Sequence, residues 1–182
     1  MSSPPEIPSD VELITRVLVR DDRSAFGELV ARHQSAVRGL LRRLTGGDEA
    51  QADDLAQETF LRAYRGLRGY RGGARFSSWL YRIACNAYFS HDRSSRNEPL
   101  ALPAVEEELP TVHLPDMFLE RYDLERALSA LKPRERAALV LTYANELTHE
   151  EAAIVLDCPL GTLKTHVARA KDKLRRQLEE IP

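Results

Sequence analysis

Cysteine is nearly absent from this chain. Only Cys85 and Cys158 occur in 182 residues, 73 positions apart and without CxxC spacing, which excludes a disulfide scaffold and a thiolate zinc site. No apolar run approaches the roughly 20 residues of a membrane-crossing helix, and the opening MSSPPEIPSD lacks a basic-then-apolar signal pattern. The expectation is a soluble, cytoplasmic protein with no membrane insertion. Catalytic signatures are missing too. His149-Glu150-Glu151 lacks the second histidine of HExxH, there is no P-loop or GxSxG, and the five histidines (His33, His91, His113, His149, His166) are scattered. No catalytic residue, metal ligand or cofactor is expected, and the chain reads as a non-enzyme. A formal net charge of only −2 at first argues against a polyanionic partner.

The charge is segregated, however. Residues 62–96 hold eight arginines (Arg62, Arg65, Arg68, Arg71, Arg75, Arg82, Arg93, Arg96) against Asp92, a net of +7. Residues 98–125 hold eight acids against Arg121, a net of −7, and residues 159–178 hold six bases against Asp172, a net of +5. Blocks this distinct belong to separate surfaces.

Periodicity along the chain is helical, and 43% hydrophobic residues suffice for one mid-sized or two small domains. The spacing predicts an all-α protein. Residues 1–8, with three prolines, are expected to be disordered. A first helix over 9–19 places Val11, Ile14 and Leu18 on one face, with Val17 at its edge. A second, over about 22–44, buries Phe26, Leu29, Val30, Val37, Leu40, Leu41 and Leu44. Gly46-Gly47 ends it, and Asp48 then caps the next helix, with Gln51 placed for a capping box.

That next helix, DDLAQETFLRAYRGLR over 53–68, is written for two partners. Leu55, Ala56, Thr59, Phe60, Ala63 and Leu67 form a core face, while Asp54, Gln57, Glu58, Leu61 and Arg65 gather opposite. A leucine ringed by carboxylates, an amide and an arginine is the pattern of a binding surface.

Residues 70–96 follow. Across residues 62–96 seven aromatics (Tyr64, Tyr70, Phe76, Trp79, Tyr81, Tyr88, Phe89) are interleaved with the arginines. Cations track phosphates and aromatic faces stack on unpaired bases, so the mixture suits a melted single strand. The glycine-broken loop 69–74 lets backbone approach a ligand. Phe76, Leu80, Ile83, Ala84 and Ala87 read as a core stripe. Trp79, Arg82, Asn86, Phe89 and Arg93 lie on the other flank, where nucleic acid is placed.

The segment 97–118 breaks the pattern with four prolines and Glu106-Glu107-Glu108, and reads as a flexible acidic linker. A second domain, 119–182, begins with a stripe of Leu124, Leu128 and Leu131. A helix restarts at Lys132-Pro133, packing Ala137 and Leu141. Thr148 with Glu151 forms a capping box, a tight turn at Asp157-Cys158-Pro159 follows, and a basic helix starts near Leu160 or Gly161. Two helices joined by so short a turn read as a helix-turn-helix. In the second of them Leu160, Leu163, Val167, Ala170, Leu174 and Leu178 face the core. Thr162, Thr165, Arg169 and Arg176 point away, flanked by His166 and Lys173, while Lys164 and Lys171 reach outward on long stems.

DDLAQETFLRAYR, FSSWLYRIACN and CPLGTLKTHVARAKDKL, in that order, resemble the bacterial RNA polymerase sigma factors of the extracytoplasmic-function (ECF) group, across about residues 10–178. The resemblance implies an alternative, stress- or envelope-responsive sigma factor that directs promoter-specific initiation, with core RNA polymerase and promoter DNA as partners and an anti-sigma factor as another. It implies a polymerase-docking face of Asp54, Gln57, Glu58, Leu61 and Arg65. It places −10 recognition and melting in domain 9–96, on Tyr70, Arg71, Arg75, Trp79, Arg82, Asn86, Phe89 and Arg93. It places −35 recognition on Thr162, Lys164, Thr165, His166, Arg169 and Lys173, and threads the linker through the polymerase's RNA exit channel. Four positions depart from the usual form: Asp157 stands for glycine, Leu160 for a polar residue, His166 for arginine, and Ser90 for aspartate.

Two other classes are weighed. A repressor or activator acting on duplex DNA alone leaves the Leu61 face and the aromatic-basic segment unused. A nuclease needs carboxylates converging on a metal, and Asp53 and Glu58 lie roughly 140° apart on the wheel.

Overall fold

The computed structural model describes residues 7–97 and 124–179. Four helices make the first domain: α1 (Asp10–Arg20), α2 (Arg23–Leu44), α3 (Glu49–Gly66) and α4 (Phe76–Asn97), with a 3-10 turn at Leu67–Gly69 after α3. Four more make the second: α5 over 124–129, α6 (Pro133–Tyr143), α7 (His149–Val155) and α8 (Leu160–Glu179). Among the described residues all regular structure is helical. The disorder expected over 1–8 lies outside the described residues except at 7 and 8, and the linker expected over 97–118 except at 97; the start of the second domain lies outside them too. Residue 97, assigned to the linker, ends α4 instead.

Local chemistry starts each helix where the chain can satisfy its free amides. Ser9 caps α1 in a full capping box with Glu12, and Thr148 does the same for α7 with Glu151. Asp48 caps α3 through the Gln51 amide, but the expected box is not closed. The Gln51 side chain turns instead toward His91 Nδ1 on α4, at 3.3 Å. Pro133 occupies the first turn of α6, where its missing N–H is no loss. Gly46 and Gly47 take φ of 70° and 95°, which L side chains avoid.

The core of the first domain is Leu29, Val37, Leu40, Leu41 and Leu44 of α2 against Leu55 and Ala63 of α3, with Leu80 and Ala84 of α4. In α1 the buried residues are Leu13, Ile14 and Val17, while Val11 is 68% exposed. The helix is therefore rotated from the expected face. Six apolar residues in eleven offer more than one stripe, and the packing against α2 selects one of them. Leu124 likewise is exposed, leaving Leu128 and Leu131 to pack.

The domains also pack on each other, α2 against α6 and α4 against α7. Arg136 of α6, 8% exposed, donates to the Leu44 carbonyl at the end of α2, to Tyr88 Oη at 3.5 Å, and to the Ser129 and Leu131 carbonyls at 2.6 and 3.2 Å. The C-terminal end of α2 is the negative end of its dipole, so a guanidinium there is favourable. Arg42 of α2 pairs with Glu125 of α5 at 2.7 Å.

Candidate nucleic-acid and partner surfaces

On α3 the five docking candidates all point away from the core. Asp54, Gln57, Leu61 and Arg65 are exposed, and Glu58 is half-buried in an i,i+4 pair with Arg62 at 2.6 Å. Leu61 is 58% exposed and lies on the lip of an 860 Å³ groove between α2 and α3. Phe26, Val30 and Gln34 of α2 form its far wall; Phe60 and Tyr64 of α3 form its near wall, and the Arg38–Asp53 pair closes one end at 2.7 Å. Phe26 and Val30 read as core in the sequence, yet both are only half-buried. Their place at the edge of the α2 stripe is the one signal of this in the sequence. Phe26 meets Tyr64 edge-on, with ring centroids 4.9 Å apart.

On α4 the core flank and the outward flank separate as the spacing requires. Phe76, Leu80, Ala84 and Ala87 are buried and Ile83 half-buried; Arg82, Asn86 and Arg93 are exposed, and Trp79 and Phe89 half-buried. Trp79 is stacked on Phe76 at 5.6 Å and tilted against Tyr70 at 5.4 Å, so one of its faces belongs to the domain. The Tyr70 hydroxyl donates to the Ala74 carbonyl at 2.6 Å, which closes the loop carrying the exposed Arg71 and Arg75. Burial pushes the Tyr70 phenol above its ordinary pKa, so this donor keeps its proton at neutral pH.

The turn between α7 and α8 places Asp157 at φ 50°, the left-handed conformation that aspartate tolerates. From it α8 projects Thr162, Lys164, Thr165 and Arg169 into solvent. Thr165 Oγ1 donates back to the Gly161 carbonyl at 2.9 Å. Two candidates are held differently. His166 is half-buried, with Nδ1 enclosed and unbonded among the described residues, and burial lowers its pKa against the opposing pull of Glu135. Lys173 turns toward α6, its Nζ 2.7 Å from Glu135 Oε2, whose side chain is 4% exposed. Burial alone would raise the Glu135 pKa, but the Lys173 ammonium and the Lys132 amide outweigh it and hold the carboxyl below its ordinary value.

Sequence reasoning missed Arg134, whose guanidinium lies over the Phe89 ring at 5.1 Å, and the pairing of Arg82 with Asp157 at 3.5 Å. Both join the two domains, and neither partner is near the other in sequence. Among the described residues no cluster of histidines, cysteines and carboxylates could hold a metal, and no helix is long and apolar enough to cross a membrane.

Two helical domains, one with a basic aromatic flank and one with a helix-turn-helix, define a DNA-binding transcription protein. The family follows from comparison with known proteins. Residues 29–98 match the Sigma-70 region 2 family and residues 121–174 the Sigma-70, region 4 family. The RNA polymerase sigma-H factor of Pseudomonas aeruginosa is 32% identical over 185 residues, covering 94% of this chain and 95% of that one. The ECF RNA polymerase sigma-E factor of Haemophilus influenzae is 30% identical, covering 95% and 97%. CnrH, solved in complex with the cytosolic domain of CnrY, superposes with a TM-score of 0.72 at 26% identity, over 95% of this chain and 99% of that one. The chain belongs to the ECF group of RNA polymerase sigma factors. Its function is promoter-specific initiation of transcription, with core RNA polymerase and promoter DNA as partners.

Proposed function

We propose that this sigma factor divides its work among three surfaces. The α3 face of Asp54, Gln57, Glu58, Leu61 and Arg65, together with the groove behind it, docks on core polymerase. The α4 flank of Trp79, Arg82, Asn86, Phe89 and Arg93, with Tyr70, Arg71 and Arg75, holds the melted non-template strand of the −10 element. The start of α8 reads the −35 element as duplex through Thr162, Lys164, Thr165, His166 and Arg169, and Lys173 serves there only by leaving Glu135 for a phosphate. The chain has no chemistry of its own in this reading; the polymerase supplies it. The protein acts in the cytoplasm as an alternative, stress- or envelope-responsive factor, with an anti-sigma factor as a further partner.

The observation that carries the reading is Leu61, a leucine 58% exposed beside an apolar groove, on the helix face turned away from the core. In this reading one small domain carries a protein-binding surface and a separate nucleic-acid flank. Leu61→Asp replaces the apolar centre of that contact with a charge that costs desolvation on docking. It is expected to weaken core-polymerase binding at least tenfold (about 1.4 kcal/mol) with unchanged helicity, and Gln57→Ala to weaken it less. Equal polymerase affinity for Leu61→Asp and wild type would remove the docking face.

A further inference from the structure

One cavity lies where three helices bring cations together. It measures 560 Å³, within the roughly 300–1,000 Å³ of small-ligand sites, and its wall runs from α4 across the first turn of α6 to α8. Arg93 of α4, Lys132 and Arg134 at the start of α6, and Arg169 of α8 all line it, and all four are exposed. Among the described residues none of them meets a carboxylate at ion-pair distance. Arg93 and Arg134 donate instead to backbone carbonyls, of Phe89 at 3.3 Å and of Leu156 at 3.4 Å. The carboxylates in the wall do not cancel this charge. Glu135 is held by Lys173 at 2.7 Å, from outside the cavity, and Asp92 stands alone against the four cations.

The first turn of α6 adds the positive end of a helix dipole, and no side chain caps its free amides. His166, in the same wall, feels this field. Burial lowers its pKa first, Glu135 opposes that, and the Arg134 and Arg169 charges lower it further. Converging cations repel one another until an anion lies between them, and a guanidinium fork matches phosphate oxygens in pairs. Asn86 and Ser90 add neutral hydrogen-bonding groups, and Phe89 with Pro133 gives an apolar wall. We infer that this cavity is a binding site for a compact polyphosphate, inorganic or carried on a nucleotide, that bridges α4, α6 and α8. A single phosphate ester carries at most about two negative charges for four cations on three helices, whereas a chain of phosphates matches them. Arg93 and Arg169 are shared with the promoter surfaces proposed above; Lys132 and Arg134 are not, which separates the two roles.

Isothermal titration of the full chain with tripolyphosphate, ATP and AMP tests the site. Magnesium-free buffer at about 0.15 M salt screens diffuse surface attraction. One equivalent of tripolyphosphate or ATP should bind, and AMP at least tenfold more weakly. Lys132→Gln and Arg134→Gln should each weaken the tighter ligand roughly tenfold, the worth of one charge-assisted contact, with unchanged helicity. Arg71→Gln, outside the cavity, should bind as wild type does. Tripolyphosphate as tight as ATP identifies the inorganic chain as the ligand, and tighter ATP identifies the nucleotide. Absence of saturable binding, AMP as tight as ATP, or full affinity in both Lys132→Gln and Arg134→Gln would each overturn the site. Binding is measured without DNA or polymerase, so an Arg169→Ala that leaves −35 preference intact removes the promoter reading and leaves this site standing.

Discussion

Glu135 and Lys173 form the most consequential single pair in the second domain. A carboxylate 4% exposed at the start of α6 is held by an ammonium from α8 that is itself 41% exposed. Removing the ammonium leaves the buried carboxylate with the Lys132 amide, at 3.3 Å, and the more distant Lys132 charge. Lys173→Ala is therefore expected to cost about 1–3 kcal/mol at neutral pH, less than a fully enclosed pair because the lysine is partly in water. The sign with pH follows from the lowered pKa. In wild type the Glu135 contribution is full above the ordinary carboxylate value and is lost as pH falls through the depressed folded value. In Lys173→Ala burial dominates and raises the pKa, so the variant's deficit should shrink as pH falls toward about 4. Urea unfolding of both proteins between about pH 4 and 7 measures this; a deficit independent of pH would mean the pair is not ionic. Arg169 poses a different question, being exposed and free to donate. Arginine on guanine discriminates by about 1–3 kcal/mol per position, whereas phosphate contacts weaken all sequences alike. Thr165 has its proton committed to Gly161 and can only accept from a base. Selection of −35 variants by the polymerase-bound mutants should show relaxed preference at particular positions for each. An unchanged preference in Arg169→Ala would make that residue a phosphate clamp.

At the level of the element, α4 shows what helical period alone accomplishes. Its core flank holds the domain together, so substitutions on the outward flank alter function without unfolding it. Asn86→Ala and Arg82→Ala should reduce permanganate reactivity of thymines in the −10 region several-fold while leaving initial promoter binding near wild type, since stacking and strand-holding contacts of about 1–3 kcal/mol per base act only after melting. Undiminished reactivity in both variants would remove the strand-holding role. Trp79 is a poorer probe, because its stacking on Phe76 makes it half structural. Helix α1 teaches the opposite lesson: Val11 and Leu13 are equally apolar candidates for the core, and contact with α2 decides that Leu13 is inside.

At the scale of the whole molecule the two domains pack on each other, α2 against α6 and α4 against α7. With the domains in contact, a chain of this length has a radius of gyration of about 16 Å. Small-angle scattering of the free protein should give the compact value. Raising the salt from about 0.1 to 1 M shortens the Debye length from about 10 to 3 Å. The partly exposed Arg82–Asp157 and Arg42–Glu125 pairs are then screened, and the radius should increase. A radius unaffected by salt would assign the contact between the domains to Arg136 and apolar packing instead of ion pairs.

Helix positions, caps, the helix-turn-helix and the outward faces of α3, α4 and α8 are all legible in the amino-acid sequence, because each depends on residues within a few positions of one another. Period 3.6, a capping serine, threonine or aspartate, and a paired glycine act locally. What tertiary structure alone decided depends on residues far apart: which stripe of α1 is buried, the far wall of the groove from Phe26 and Val30, and the capture of Lys173 by Glu135. The burial of Arg136 belongs with these, since nothing around it in the chain reveals that the end of α2, some 90 residues earlier, supplies its acceptor. Composition marks these residues as charged or apolar, but only packing determines whether such a side chain meets water, a partner protein, DNA or the other half of its own molecule.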